Sequence, residues 1–205
     1  MHWEPPSNPN ELCVDRFEDR LELRGASDRP GLGVSVDLGA VRRTGMRNLP
    51  IARALGSCKT VVDATAGLCA DAYMLALLGC SVTAIERSPM LAALAFDGLS
   101  RAATDPRVDA PALARLRMLE GDARDLLRTL PAPDAVFMDP MFPERKKASA
   151  LPRKEIRLVR AAVGDDPDAA ELFAVAMQVA LRRVLVKRSD DSPALAGAPA
   201  PDLTF

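Results

Sequence analysis

The segment Val136-Phe137-Met138-Asp139-Pro140-Met141-Phe142-Pro143 carries the sharpest chemical pattern in the chain: an apolar run ends in an aspartate, and two prolines bracket an aromatic residue. An exocyclic amino nitrogen is a poor nucleophile because its lone pair is delocalised into the ring. An acceptor pair made of the Asp139 side chain and the Pro140 carbonyl can bind its N–H groups and favour a more pyramidal nitrogen. Phe142 would stack on the base and hold it in line with a methyl donor, which is catalysis largely by positioning. The plainer alternative is a proline-rich turn with Phe142 in the core.

Three further acidic positions follow apolar runs. In Val61-Val62-Asp63-Ala64-Thr65-Ala66-Gly67-Leu68-Cys69-Ala70-Asp71 a strand runs into a turn of small residues and then a helix, so backbone can approach a ligand and helix-start N–H groups can face it. Cys69 stands where a dinucleotide fingerprint would place a second glycine. It is expected to keep a negative φ and to turn its sulfur away from the ligand. Glu86 lies 23 residues after Asp63 at the end of the next strand, where a carboxylate can accept hydrogen bonds from vicinal ribose hydroxyls, or cap the helix begun by Ser88-Pro89. Asp122 in Gly121-Asp122-Ala123 reads equally as acceptor of an adenine amino group and as a helix N-cap.

These acids must be held by elements that the hydrophobic pattern outlines. Leu21–Arg24 and Gly33–Leu38 alternate at period two around the turn residues Asp28–Gly31, which predicts a hairpin. From residue 49 strands and helices alternate: helix Leu49–Gly56, strand Thr60–Asp63, helix Ala70–Leu78, strand Ser81–Glu86, helix Pro89–Arg101, strand Arg117–Glu120, helix Ala123–Leu130 and strand Ala135–Asp139. Helices near Arg153–Val163 and Ala169–Arg182 precede a last strand, Arg183–Lys187. Short, nearly all-apolar strands in repeated βα units predict an α/β fold: a mostly parallel, Rossmann-like sheet with helices on both faces and a small N-terminal β extension. The domain organisation expected is an extension over 1–48 and a catalytic domain over 49–205.

Composition narrows the chemistry. The 205 residues are 48% hydrophobic and 27% charged with net charge −1, the profile of a globular chain, and no apolar run approaches the roughly 20 residues of a membrane span. The start, Met1-His2-Trp3-Glu4, lacks a basic region followed by an apolar one, so no secretory signal and a cytoplasmic location are expected. The only histidine is His2, and Cys13, Cys58, Cys69 and Cys80 show no C-x-x-C spacing. Neither a zinc site nor histidine-based hydrolysis is expected. Basic side chains cluster at Arg42, Arg43 and Arg47, at Arg145–Lys154 including Lys146 and Lys147, and at Arg182-Arg183 with Lys187-Arg188. Each cluster alone suits a solvated face, whereas all of them on one rim would bind phosphates.

Asp63-Ala64-Thr65-Ala66-Gly67-Leu68, Glu86-Arg87-Ser88-Pro89, Asp139-Pro140-Met141-Phe142-Pro143 and Val184-Leu185-Val186-Lys187-Arg188, in this order, resemble the bacterial ribosomal RNA small subunit methyltransferase J family. The similarity runs from about Leu21 to the region of Pro199. It implies a class I methyltransferase that uses S-adenosylmethionine as cofactor and transfers its methyl group to N2 of a guanine in small-subunit ribosomal RNA. Carried onto this chain, it implies cofactor contacts at Asp63, Thr65, Ala66, Gly67, Asp71, Glu86, Arg87, Asp122 and Asp139, and catalysis by Asp139, Pro140 and Phe142. RNA contacts are expected from Arg42, Arg43, Arg47, Lys146, Lys147, Lys154, Lys187 and Arg188. The expected partner is ribosomal RNA or the assembled small subunit, with no metal and no membrane, acting as a monomer. The family pattern G-L-G-R-D reads Gly67-Leu68-Cys69-Ala70-Asp71 here, and the glycine-rich basic stretch after Arg42-Arg43 is reduced to Thr44-Gly45-Met46-Arg47-Asn48. The chain ends at Phe205, soon after the fifth strand, where methyltransferases of this fold add an antiparallel hairpin. An amino-methyltransferase acting on DNA or protein, and a catalytically inactive RNA-binding module, stay open as alternatives.

Overall fold

A computed structural model describes residues 11–25, 27–41, 44–142, 154–188, 195–202 and 204. Strands β3 (Thr60–Asp63), β4 (Ser81–Glu86), β5 (Leu116–Glu120), β6 (Ala135–Met138) and β7 (Arg183–Val186) form one sheet in the order β5-β4-β3-β6-β7. Every pairing in it is parallel. The chain therefore moves outward from β3 to β5 and then crosses back to β6 and β7. That places a reversal of winding between β3 and β6, where open α/β sheets bind ligands beyond the carboxyl ends of their strands.

The strands are apolar at successive positions because both faces are covered. Val61, Val82, Ala84, Ala135 and Phe137 pack with α2 (Ala70–Leu77) and α3 (Pro89–Ala102) in one core cluster. Val62, Ile85, Val136 and Met138 face the other way, against Leu127 beyond α5 (Ala123–Leu126) and Leu172, Val175 and Ala176 of α7 (Ala169–Val179). Two short helices, α1 (Pro50–Leu55) and α4 (Ala110–Leu113), and the amphipathic α6 (Lys154–Val163) complete the α-helices of the described residues, beside 3-10 turns at Leu38–Ala40 and Met46–Asn48. None of these helices is long and apolar enough to cross a membrane.

The N-terminal hairpin differs from the sequence expectation. Strand β2 (Arg20–Gly25) pairs antiparallel with β1 (Leu12–Phe17), whereas Gly33–Leu38 touches it through the single bridge Leu23 to Val34. The cause is Glu22, fully buried, whose carboxylate accepts the backbone N–H groups of Gly31 at 2.7 Å and Gly33 at 3.2 Å. Those bonds fold residues 28–34 back over β2 as a wrap. Leu23, Val36 and Leu38 enter the same core as α2 and α3, and a Cβ on Gly98 would fall 2.3 Å from Val36 Cγ1, so only glycine lets α3 approach this segment.

Candidate active site at the strand ends

Four elements deliver carboxylates to one edge of the sheet. Asp63 ends β3, Glu86 ends β4, Asp122 follows β5 and Asp139 follows β6. Thr65, Gly67, Glu86, Arg87, Asp122, Asp139 and Pro140 line one cavity there, together with Ala64, Met141, Asp166 and Asp168. The sequence reading thus brings together residues from Thr65 to Pro140 that are far apart in the chain. Asp63, Ala66, Asp71 and Phe142 stand behind or beside this lining.

Glu86 joins the first two loops. Its Oε2 accepts the Gly67 N–H at 2.8 Å and its Oε1 the Ser88 N–H at 2.7 Å, and burial pushes its pKa up against these two bonds. Gly67 has φ +52°, and nothing lies within 4 Å of where its Cβ would stand. Asp63 is 1% exposed; Oδ1 accepts the Thr65 N–H at 3.2 Å, while Oδ2 has no hydrogen-bond partner. Burial raises its pKa to about 8, so at neutral pH it is mostly a protonated acid.

Cys69 overturns half of its expectation. It adopts the left-handed conformation, φ +62° and ψ +13°, at the N-cap of α2. The tight βα turn imposes this, since Cys69 N–H donates to the Ala66 carbonyl at 2.7 Å while the Cys69 carbonyl already accepts from Tyr73 at 2.9 Å. The other half stands: the sulfur is buried beside Met118 Sδ at 3.6 Å, and Cys69 does not line the cavity.

Asp122 is the N-cap of α5, accepting the Arg124 N–H at 2.8 Å, and its carboxylate also pairs with the Arg124 guanidinium at 2.7 Å. The Arg124 hydrogen bond holds its pKa below the usual carboxylate range. Arg87 turns its guanidinium to Asp166 and to Asp168, the latter at 2.6 Å. These two aspartates, in the loop before α7, carry no motif in the sequence.

The loop after β6 is pinned along its length. Asp139 N–H donates to the Thr65 hydroxyl at 2.7 Å, Met141 N–H donates to Asp166 Oδ2 at 2.6 Å, and Asp166 N–H donates back to the Met141 carbonyl at 3.0 Å. Arg160 of α6 donates to the Phe142 carbonyl at 3.0 Å. Phe142 is half-buried next to this site. Burial raises the pKa of Asp139, opposed by Lys187.

Among the described residues, the basic side chains do not all share one rim. Lys187 pairs with Asp71 and Asp139, and exposed Arg188 follows it. Lys154 binds the Leu32 carbonyl at 2.7 Å and Asp28 at 3.1 Å. Arg47 lines a separate groove with Leu77 and Leu78, at the opposite end of α2 from Asp71. Arg42, Arg43, Lys146 and Lys147 lie outside the described residues. Among the described residues no group of three or more side chains suited to metal ligation is found.

Comparison with known proteins gives the family and the fold. Residues 5–203 match the family model described as "Putative SAM-dependent methyltransferase". The chain is 52% identical to ribosomal RNA small subunit methyltransferase J of Aeromonas salmonicida, over 84% of this chain and 73% of that protein. It is 43% identical to the protein of the same name from Pectobacterium atrosepticum, over 97% of this chain and 84% of that one. Among solved structures, the SAM-dependent methyltransferase NGO1261 of Neisseria gonorrhoeae superposes with a TM-score of 0.71 at 32% identity, covering 98% of this chain and 79% of that one.

Proposed function

We propose that this chain, which belongs to the ribosomal RNA small subunit methyltransferase J family, transfers a methyl group from S-adenosylmethionine to the N2 amino group of a guanine in small-subunit ribosomal RNA. The observation that carries the reading is the Asp139 carboxylate, held at the cavity that Gly67 and Glu86 also line.

The residues present fit the cofactor. The Cβ-free side of Gly67 leaves the first turn open, and the acidic set Glu86, Asp122 and Asp139 on the cavity suits a ligand that carries an ammonium and a sulfonium. When bound, S-adenosylmethionine supplies an electrophilic methyl group on sulfur. Glu86 uses one lone pair of each oxygen for the Gly67 and Ser88 amides and keeps the others for ribose hydroxyls. Asp122 caps α5 and retains acceptor capacity for the adenine amino group, which reconciles its two sequence readings. Arg87, tied to Asp166 and Asp168, shapes the wall beside Glu86. Asp63, Ala66 and Asp71 support the loop from behind.

On the acceptor side, Asp139 and the Pro140 carbonyl receive the two N–H groups of the guanine amino group, and Phe142 stacks on the base. Held in this way, the nitrogen lone pair would form the new N–C bond as the C–S pair returned to sulfur. The nitrogen, now cationic, releases one proton to Asp139 or to water. Arg188 and the basic segment that precedes α6 would hold phosphates flanking the target, supplying affinity and orientation while the pocket reads the base.

The test is incubation with methyl-labelled S-adenosylmethionine and unmodified small-subunit RNA, DNA or protein, followed by digestion and mass spectrometry. N2-methylguanosine from the RNA, formed at a rate that falls steeply with added salt, is expected. Label in DNA or protein, or salt-independent methylation of free guanosine, would overturn the assignment.

A further inference from the structure

The sequence groups Lys187 with phosphate-binding side chains, but the sheet gives it a different setting. Met138 and Val186 are paired in the parallel register of β6 and β7, and Lys187 N–H continues that ladder by donating to the Met138 carbonyl at 2.9 Å. The register sets Lys187 beside Asp139 as both strands end. Its Nζ lies 2.8 Å from Asp139 Oδ2 and 2.6 Å from Oδ2 of Asp71, in the first turn of α2. One ammonium thus bridges the helix after β3 and the loop after β6. The lysine engages Oδ2 alone, and Asp139 lines the cavity.

Resting on the methyltransferase reading, we infer that Lys187 is a positioning residue that, braced by Asp71, fixes the Asp139 carboxylate through Oδ2 and leaves Oδ1 to receive an N–H of the guanine amino group. A lysine held by two carboxylates has one N–H left, and a phosphate bound there would sit against the Asp71 and Asp139 anions, so the site favours the carboxylates over a phosphate. Arg188, exposed and one residue further on, is free of that conflict.

Lys187 faces the field of several acids. Asp71 on α2 and Asp166 from the loop before α7 disfavour the ionised form of Asp139, burial disfavours it more, and Lys187 opposes them. Asp63, at the end of β3, is mostly protonated at neutral pH and adds little charge to this group. Without the lysine, Asp139 would take up a proton at higher pH. It would then be able to present a donor where the amino group requires an acceptor.

The experiment compares the wild-type protein with Lys187→Met and Lys187→Arg. In Lys187→Met, kcat should fall at least about tenfold and the acidic limb of the pH–rate profile should move upward by about one unit or more, with KM for RNA and cofactor affinity within about threefold. Lys187→Arg should recover a large part of both changes. A second readout needs no turnover: the carboxyl-carbon titration of Asp139 in cofactor-free protein should move to higher pH in Lys187→Met and return towards wild type in Lys187→Arg. An RNA KM that rises while the acidic limb and the Asp139 titration stay put would make Lys187 a phosphate contact and overturn the inference. A wild-type protein that methylates no ribosomal RNA would defeat the methyltransferase reading instead, and the titration would still decide whether Lys187 holds Asp139.

Discussion

Replacing Asp63 by Asn should stabilise the protein near neutral pH and remove a large part of its pH dependence. The side chain is 1% exposed, and only one of its oxygens, bound to the Thr65 N–H, has a partner. Burial raises its pKa from 3.8 to about 8; the Thr65 bond opposes this, and Asp71, Asp139 and Glu86 add to it. The folded protein therefore keeps a proton that the unfolded chain releases. For a carboxyl raised in this way the stabilising contribution is complete below the unfolded value of 3.8 and is lost as pH rises towards 8. Between those limits the loss is about 1.4 kcal/mol per pH unit, or roughly 3 kcal/mol from pH 5 to pH 7. An amide keeps the Thr65 contact through its oxygen and places NH2 where the acid carries its proton, so it resembles the protonated side chain at every pH. Groups whose pKa is lowered, such as Asp97 and Asp122, act in the opposite sense but are common to both proteins. Urea unfolding of the cofactor-free proteins at pH 5, 6 and 7 should show Asp63→Asn gaining on wild type by about 3 kcal/mol across the series. Parallel stability curves would refute the reasoning and mean that Asp63 is ionised in the fold.

Glu86→Ala removes charge-assisted bonds worth roughly 1.5–3 kcal/mol each. Calorimetry should show cofactor affinity reduced by about one to two decades, with a lower unfolding midpoint because the Gly67 and Ser88 amides lose their acceptor. Cys69→Gly should change cofactor affinity by less than about tenfold, or ~1.4 kcal/mol, because the thiol packs on Met118 and not on the cavity. Cys69→Val forces a branched side chain into the left-handed region of a filled core and should lose about 1–3 kcal/mol or more in urea unfolding. Asp166→Ala unties the backbone of Met141, and single-turnover rates should fall by about 10²-fold if the acceptor loop shifts by an ångström, with cofactor affinity nearly unchanged. Phe142→Ala should raise KM for RNA in proportion to a lost stacking energy of ~1–3 kcal/mol.

The central sheet was legible because burial on both faces demands apolar runs, and an acid that ends such a run stands out against it, although Glu86 and Asp122 also bind loop and helix-start amides in the fold. Strands Thr60–Asp63 and Ser81–Glu86 appear with the expected bounds. The first hairpin was misread because Gly33–Leu38 alternates as a strand should, whereas Leu12–Phe17 places Cys13, Val14, Asp15 and Arg16 in succession. The deciding contacts, from Glu22 to two backbone amides, are invisible to a periodicity argument. The conformation of Cys69 was misjudged by weighing the Cβ penalty without the hydrogen bonds of the turn. Lys187 looked like one more cation in a charged run because only strand register sets it beside Asp139. Asp166 and Asp168 gave no signal, since their roles depend on partners 25 and 81 positions away.

The two hydrogen bonds between Met141 and Asp166 close a loop whose ends lie 25 positions apart, with α6 inside it. Loop closure costs little more as a loop lengthens, about 0.6 kcal/mol for each doubling. A closure fixed at its base therefore separates two design problems. The span between the clamp residues can change in length at small entropic cost, while Asp139 and Pro140 upstream of the clamp keep their setting. Exchanging only residues 143–153 between relatives leaves Phe142 and the cavity-lining Val159 and Val163 in place, so cofactor affinity should stay within a few-fold of the parent's.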